Sequence, residues 1–180
     1  MNITNRTLGI VAGAVVIGAI LHIEYRVSAL SDKVDAIADI IVNTSQPIKH
    51  TPAELTCLTR NIYYEARGEA EAGQYAVANV TLNRLKSGKW GNDICRVVYA
   101  KKQFSWTSQK KLAKPNPEAW ATAHKVAVNA LNGTRVRGLD ASLFYHADYI
   151  KSPVWVDNRH YVTQIGQHKF YNLARIQEPM

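Results

Sequence analysis

The 180-residue sequence contains only two cysteines, Cys57 and Cys95. Their spacing matches no CxxC pattern, which excludes the common zinc-ribbon and dithiol redox motifs. Histidine is no better arranged for metal. No HExxH or HxH pattern is present, so His124, His146, His160 and His168 read as hydrogen-bonding residues, and no metal or cofactor is expected. A GxSxG elbow is missing too, so a triad assembled on paper from Ser105, His146 and Asp148 has no nucleophile turn behind it. Internal repeats and low-complexity tracts are absent, which leaves one folded domain with an appendage. The longest apolar run, residues 8–21 (LGIVAGAVVIGAIL), is fourteen residues long. A spanning helix wants about 20. No predicted helix carries a continuous Lys/Arg face, so the net charge of +8 does not point to nucleic acid.

The net charge sits in one part of the chain. Residues 1–50 carry four Lys/Arg and four Asp/Glu, so the whole excess belongs to residues 51–180. A basic domain of this kind suits an anionic partner such as a membrane surface or an acidic wall polymer. The apolar run has the length of a signal-peptide core, and Val27-Ser28-Ala29 fits a small-residue cleavage site. Against cleavage, Val27, Leu30, Val34, Ile37 and Ile41 recur at intervals of three and four, the stripe of a helix running on from the membrane segment. Gly9 and Gly13 form a GxxxG pair, which favours helix association in lipid. Such small residues leave the segment marginally hydrophobic, able to insert and later leave the bilayer. The expected organisation is a signal peptide or signal-anchor over residues 1–29 (membrane segment 8–23), an amphipathic stalk or linker over 30–49, and a folded domain over 50–180. The cysteines read as two small buried hydrophobes if the chain stays in a reducing compartment, or as one disulfide if it is exported.

Within the domain, Thr51, Pro52 and Glu54 spell a capping box at a helix start. Leu55, Leu58 and Ile62 form that helix's apolar stripe, and Gly68 is placed to end it. A second helix is predicted from about Ala72 to Lys86, with a wide apolar face and a stop at Gly88. Pro117 and Glu118 open a third, in which Trp120, His124, Ala127 and Leu131 share a face before Gly133. Beyond it, SLFYHADYI and RHYVTQIGQHKFYN are rich in aromatic and β-branched residues, with a Gly166 turn, and predict a small antiparallel sheet. The fold class is α+β, helices first.

An acid interrupts the stripe of the first helix. Glu65 falls three residues after Ile62 and seven after Leu58, on their face. It also lies in the last turn, where the helix dipole disfavours negative charge. Apolar surroundings and an adverse dipole both raise a carboxyl pKa, the condition of a general acid that keeps its proton near neutral pH. Local pairing with Arg60 or Arg67 is the other reading of this position. Glu69 and Glu71 fall in a polar loop and read as solvated. A two-carboxylate glycosidase would need a second acid, for which Glu69 is the nearest candidate.

In order along the chain, CLTRNIYYEARGE (57–69), AGQYAVANVTLNR (72–84), ICRVVY (94–99), QFSW (103–106), FYH (144–146) and IGQHKFY (165–171) resemble the SleB-type cell-wall hydrolases. That is the family of spore cortex-lytic enzymes and related bacterial and phage lysins. The resemblance spans nearly all of residues 54–171 and none of residues 1–50. It implies a lysozyme- and lytic-transglycosylase-like helical domain with a small antiparallel β-sheet, acting on the glycan strands of peptidoglycan. Glu65, the first glutamate of the EARGE motif, is the implied catalytic acid. The implied reaction is lytic transglycosylation between N-acetylmuramic acid and N-acetylglucosamine, leaving a 1,6-anhydro end. One carboxyl group then serves twice, protonating the leaving oxygen and afterwards taking the proton of the muramyl 6-hydroxyl. Muramidase hydrolysis of the same bond with Glu69 assisting is one alternative, and a membrane-tethered, non-catalytic peptidoglycan-binding protein is another. Implied substrate contacts are Glu69, Gln103, Phe104, Tyr145, His146 and Trp155, with aromatic rings as stacking platforms. Export makes a Cys57–Cys95 disulfide the expected state. No wall-binding repeat is recognisable, and a membrane-proximal segment takes its place. That suits a phage endolysin or a periplasmic remodelling enzyme at the inner membrane, retained or released, with homodimerisation through the stalk helix.

Overall fold

Thr51 opens the first helix of the domain as its neighbours predict. Its hydroxyl accepts from the Glu54 amide at 3.2 Å, and Glu54 Oε2 accepts from the Thr51 amide at 2.9 Å. Pro52 takes the first turn, where its missing N–H costs nothing. Helix α1 (Pro52–Ala66) buries Leu58 and Ile62 completely. The expected glycine stop is different in kind: Gly68 has no left-handed φ, and the Arg67 amide closes the helix on Tyr63 O. Helix α2 (Glu71–Ser87) is buried over every residue from Gly73 to Leu82 and ends at Gly88 with φ 69°. It begins at Glu71, where the polar EAEAG run predicts a loop, and the Glu71 carboxylate pairs with Lys125 Nζ at 2.8 Å.

Asp93 caps a short helix, α3 (Ile94–Tyr99), which the Cys57–Cys95 disulfide ties to α1 with Cα atoms 5.3 Å apart. Glu54 Oε1 also accepts from the Ile94 amide at 3.3 Å, so the cap of α1 and the start of α3 share one carboxylate. Helix α4 (Pro117–Leu131) starts at Asn116, whose side chain accepts from the Ala119 amide. Its buried face runs through Ala123, Val126, Ala127, Ala130 and Leu131. His124, expected on that face, is exposed.

The computed structural model describes residues 19–28, 30, 41–43 and 45–173. The chain divides into two units, Met1–Asp39 and Ile40–Met180. In the first, residues 19–28 and residue 30 are helical, and Ile20, Leu21, Ile23, Tyr25, Val27 and Leu30 are exposed. No described helix is long and apolar enough to cross a membrane. Residues 8–18 of the expected membrane segment, and Val34 and Ile37 of the stalk stripe, lie outside the described residues. Ile41 leaves that stripe. It stands in strand β1 (Ile41–Asn43), paired antiparallel with β2 (Thr134–Val136), Ile41 opposite Val136. The second unit therefore takes in residues ahead of His50.

A three-stranded antiparallel sheet completes the domain, with order β3-β5-β4 from β3 (Ser142–Ala147), β4 (Arg159–Ile165) and β5 (His168–Leu173). Gly166, at φ 55°, takes the first position of the two-residue loop between β4 and β5, where a tight hairpin needs a left-handed residue. In β3, Ser142 faces Asn172 and Phe144 faces Tyr171, which makes Leu143 the extra residue of a bulge. The bulge changes where the next side chains aim, and they are the ones that meet the acid.

Candidate active site

Glu65 lies in the last turn of α1 and reaches the sheet. Its Oε2 accepts a hydrogen bond from Tyr145 Oη at 2.8 Å. Burial raises the Glu65 pKa, while the Tyr145 hydroxyl and the positive charge of Arg84 pull it back without reversing the shift. Neither local arginine partners it. Arg60 Nη1 donates to Tyr99 Oη at 3.1 Å, and the Arg67 guanidinium lies 5.3 Å over the Tyr63 ring. Burial, and after it the Glu65 charge, hold the Tyr145 phenol well above its ordinary pKa, so Tyr145 is a hydroxyl donor at any physiological pH.

The position of α1 under the sheet is set by buried polar contacts one turn earlier. Asn61 Oδ1 accepts from Trp106 Nε1 and Asn61 Nδ2 donates to Thr81 Oγ1, both at 3.0 Å. Such a satisfied network fixes one arrangement of α1 against α2. Arg84, on α2, is 5% exposed. Its Nε donates to Leu143 O at 2.8 Å, the carbonyl of the bulge residue. Three rings surround the guanidinium: Phe104 at 5.0 Å, Trp90 at 5.1 Å and Phe144 at 6.0 Å. Burial pulls the Arg84 pKa down and the neighbouring Tyr145 and Glu65 oppose it. A guanidinium starts so high that it stays charged.

A cavity of about 560 Å3 opens over these groups. Glu65, Gln103, Tyr145, His146 and Trp155 all line it, together with Arg84, Lys102, Phe144 and Arg159. His146 is buried, and both ring nitrogens are engaged, Nδ1 with Ala147 O at 2.8 Å and Nε2 with Tyr171 Oη at 3.0 Å. A carbonyl can only accept, so Nδ1 carries a proton, while the Tyr171 hydroxyl, which can donate or accept, meets Nε2. Trp155 packs 5.7 Å from Phe144 and 5.9 Å from His146, forming an aromatic wall. Gln103 Nε2 donates to Lys101 O at 3.3 Å. Beside it Lys102 has φ 63°, the one left-handed non-glycine residue among those described.

Two expected substrate contacts are placed elsewhere. Phe104 is 2% exposed, packed in the core under Arg84, so the half-buried Phe144 and Trp155 supply the rings that line the cavity instead. Glu69 is turned away from the cavity to the β4–β5 loop. Its oxygens accept from the Gln167 amide at 3.3 and 3.4 Å, and Oε1 lies 3.7 Å from His168 Nδ1. A Cβ built on Gly166 would overlap Glu69 Oε2. The carboxylate is a peg between the α1–α2 turn and the hairpin. Arg84, Phe144 and Asn61 were not singled out from sequence. Arg84 had a signal, a cation inside a helix apolar on nearly every side, the same signal that marked Glu65. A second cavity, of about 540 Å3, is lined by Ser45, Leu82, Asn83, Arg135 and Asp140 among others, and holds none of the expected site residues.

The geometry can be set beside known proteins. The Cell Wall Hydrolase family matches residues 68–171, more than half of the chain, beginning just after Glu65. The spore cortex-lytic enzyme of Halalkalibacterium halodurans is 30% identical over 141 residues, 78% of this chain and 41% of the relative. That of Bacillus subtilis is 30% identical over 143 residues, 79% of this chain and 43% of the relative. The chain thus spans less than half the length of these curated relatives. Among solved structures, the catalytic domain of the germination-specific lytic transglycosylase SleB from Bacillus anthracis superposes with a TM-score of 0.59 at 28% identity, covering 70% of this chain and 99% of that one. The catalytic domain of the Bacillus cereus SleB protein gives 0.59 at 27%, covering 73% and 98%. The mixed helical and antiparallel architecture is that of the SleB catalytic domains, and the chain belongs to the Cell Wall Hydrolase family.

Proposed function

We propose that this chain degrades peptidoglycan as a lytic transglycosylase, cleaving the glycan strand between N-acetylmuramic acid and N-acetylglucosamine with Glu65 as the acid and then the base. The observation that carries the reading is Glu65 itself, a half-buried carboxyl of raised pKa, hydrogen-bonded by Tyr145 at 2.8 Å and open to an aromatic-walled cleft. It is the one carboxylate among the described residues lining that cleft. A reaction in which a single carboxyl moves the proton in both steps needs no other, whereas glycoside hydrolysis by paired carboxylates does. The membership of the family and the likeness to a lytic transglycosylase domain support the same reading.

Tyr145 donates to Oε2, which leaves Oε1 to carry the acidic proton. Glu65 gives that proton to the glycosidic oxygen as the C1–O bond breaks. The resulting carboxylate gains from Tyr145 and the Arg84 charge, and it takes the proton of the muramyl 6-hydroxyl as O6 closes on C1. Phe144 and Trp155 present apolar surface to the sugar faces, which keeps water from competing with O6.

We place the domain outside the cytoplasm, at the periplasmic face of an inner membrane. The Cys57–Cys95 disulfide suits an oxidising compartment, and the exposed apolar residues of helix 19–28 suit a tether. Extraction of membranes with alkaline carbonate tests this: a tethered chain stays in the pellet. Mass spectrometry of the fragments released from purified peptidoglycan tests the chemistry. Anhydro-muramyl ends are expected from the wild type and none from Glu65→Gln; reducing muramyl ends would make the enzyme a hydrolase, and cleavage by Glu65→Gln at the wild-type rate would remove Glu65 from the mechanism.

A further inference from the structure

The charge of the cleft is the wrong sign for a site that only stabilises a positively charged sugar. Arg84, Lys102 and Arg159 line it against the single carboxylate of Glu65. Cations around a developing oxocarbenium ion oppose it unless an anion comes in with the substrate. Arg84 also carries a donor that the protein itself does not use. Its Nε is fixed on Leu143 O and its plane is enclosed by three rings, yet its Nη1 is buried without a hydrogen-bond partner. No ion pair joins it to Glu65 among the described residues. A buried donor left unmatched in an otherwise ordered site calls for an acceptor from outside.

We propose that the cleft contains an anion subsite, built on Arg84 with Lys102 and Arg159 beside it, that takes a carboxylate carried by the glycan strand close to the bond cleaved. The inference rests on the strand being the substrate, and it adds which chemical group the enzyme recognises. The planar guanidinium fork matches a carboxylate in geometry as well as charge. Phe104, buried beneath the guanidinium, and Leu143, bulged out to accept from it, are the parts of the fold that hold the fork in place. A wall strand offers that group in two ways: on the acidic residues of its peptide stems, or on the lactyl ether of a muramyl residue whose stem has been removed.

The test is equilibrium cosedimentation of the full chain carrying Glu65→Gln, which binds without turnover, on three preparations of the same sacculi. One keeps its stems, one is stripped of them by an amidase, and one is neutralised with carbodiimide and ammonia. The subsite predicts affinity for the neutralised wall weaker by about tenfold at constant ionic strength. Tight binding to the stripped wall assigns the lactyl carboxylate, and tight binding to the stemmed wall alone assigns the stem. Arg84→Lys and Lys102→Ala each bring the preference below about twofold, since an ammonium lacks the fork and the alanine lacks the charge. Lys102 is exposed, so that variant carries the test if Arg84→Lys does not fold. Lys110→Ala/Lys111→Ala, exposed and off the cavity lining, keeps the preference while lowering overall affinity. Equal binding to all three walls, binding to none, or a preference untouched by both cleft variants would overturn the subsite. Discrimination by Glu65→Gln together with no anhydro ends from the wild type would leave the subsite standing and remove the transglycosylase reading.

Discussion

At the scale of the residue, the balance of forces on Glu65 makes two measurable claims. Its pKa is raised in the folded state, so the folded protein holds this proton more tightly than the unfolded chain. The stability contributed is full below the unfolded carboxyl pKa and is lost as pH rises through the folded one. Glu65→Gln, which mimics the protonated acid, is therefore expected to raise stability at pH 7.5, with the gap closing near about pH 4, where the unfolded carboxyl is itself protonated. Melting curves of the two proteins at both values check this, and a destabilised Gln variant at neutral pH would contradict it. Tyr145→Phe removes a hydrogen bond that lowers the acid's pKa. The basic limb of the kcat/KM profile, where the acid loses its proton, should then move to higher pH, with the rate at the optimum down about tenfold.

At the scale of the element, the strongest statement concerns a turn. Gly166 has φ 55° and stands against the Glu69 carboxylate, so Gly166→Ala strains the backbone and displaces the peg together. It is expected to cost at least about 1 kcal/mol. Adding Glu69→Ala should recover the steric part, so that the double variant loses less than the sum of the two. Thermal denaturation of the four proteins closes the cycle. The joint between α1 and α3 is expected to matter more. Removing the Cys57–Cys95 disulfide, by reduction or Cys→Ala pairs, should cost about 2–4 kcal/mol, read from denaturant midpoints with and without reductant.

The same elements show what a sequence reveals. The cap at Thr51, the stop at Gly88 and the turn at Gly166 were legible because each is a local rule satisfied by residues within four positions. Glu65 was legible because an acid on an apolar stripe breaks a pattern. Strand β1 was not, because Ile41 fits a heptad as well as a strand, and its partner Val136 is far along the chain. Phe104 was misplaced for a related reason. Aromatic residues serve cores and sugar faces alike, and only the Arg84 guanidinium above it settles which. Glu69 needed the hairpin to be seen, since its partners Gln167 and His168 are nearly a hundred residues away.

At the scale of the whole domain, the proposed active site belongs to no single part. The acid comes from the end of a helix, its hydroxyl partner from a strand, and the guanidinium between them from a second helix tied to that strand's bulge. The helical half brings Glu65 and Arg84; the sheet brings Tyr145, Phe144, His146 and Arg159. The contact between Glu65 and Tyr145 closes a separation of 80 residues, and closing so long a loop costs entropy that the docking of sheet on helices must offset. A chain still folding has its acid in water, with an ordinary proton affinity and no cleft above it. Under the proposed mechanism neither half alone can cut the wall, so a partly folded chain is harmless to it.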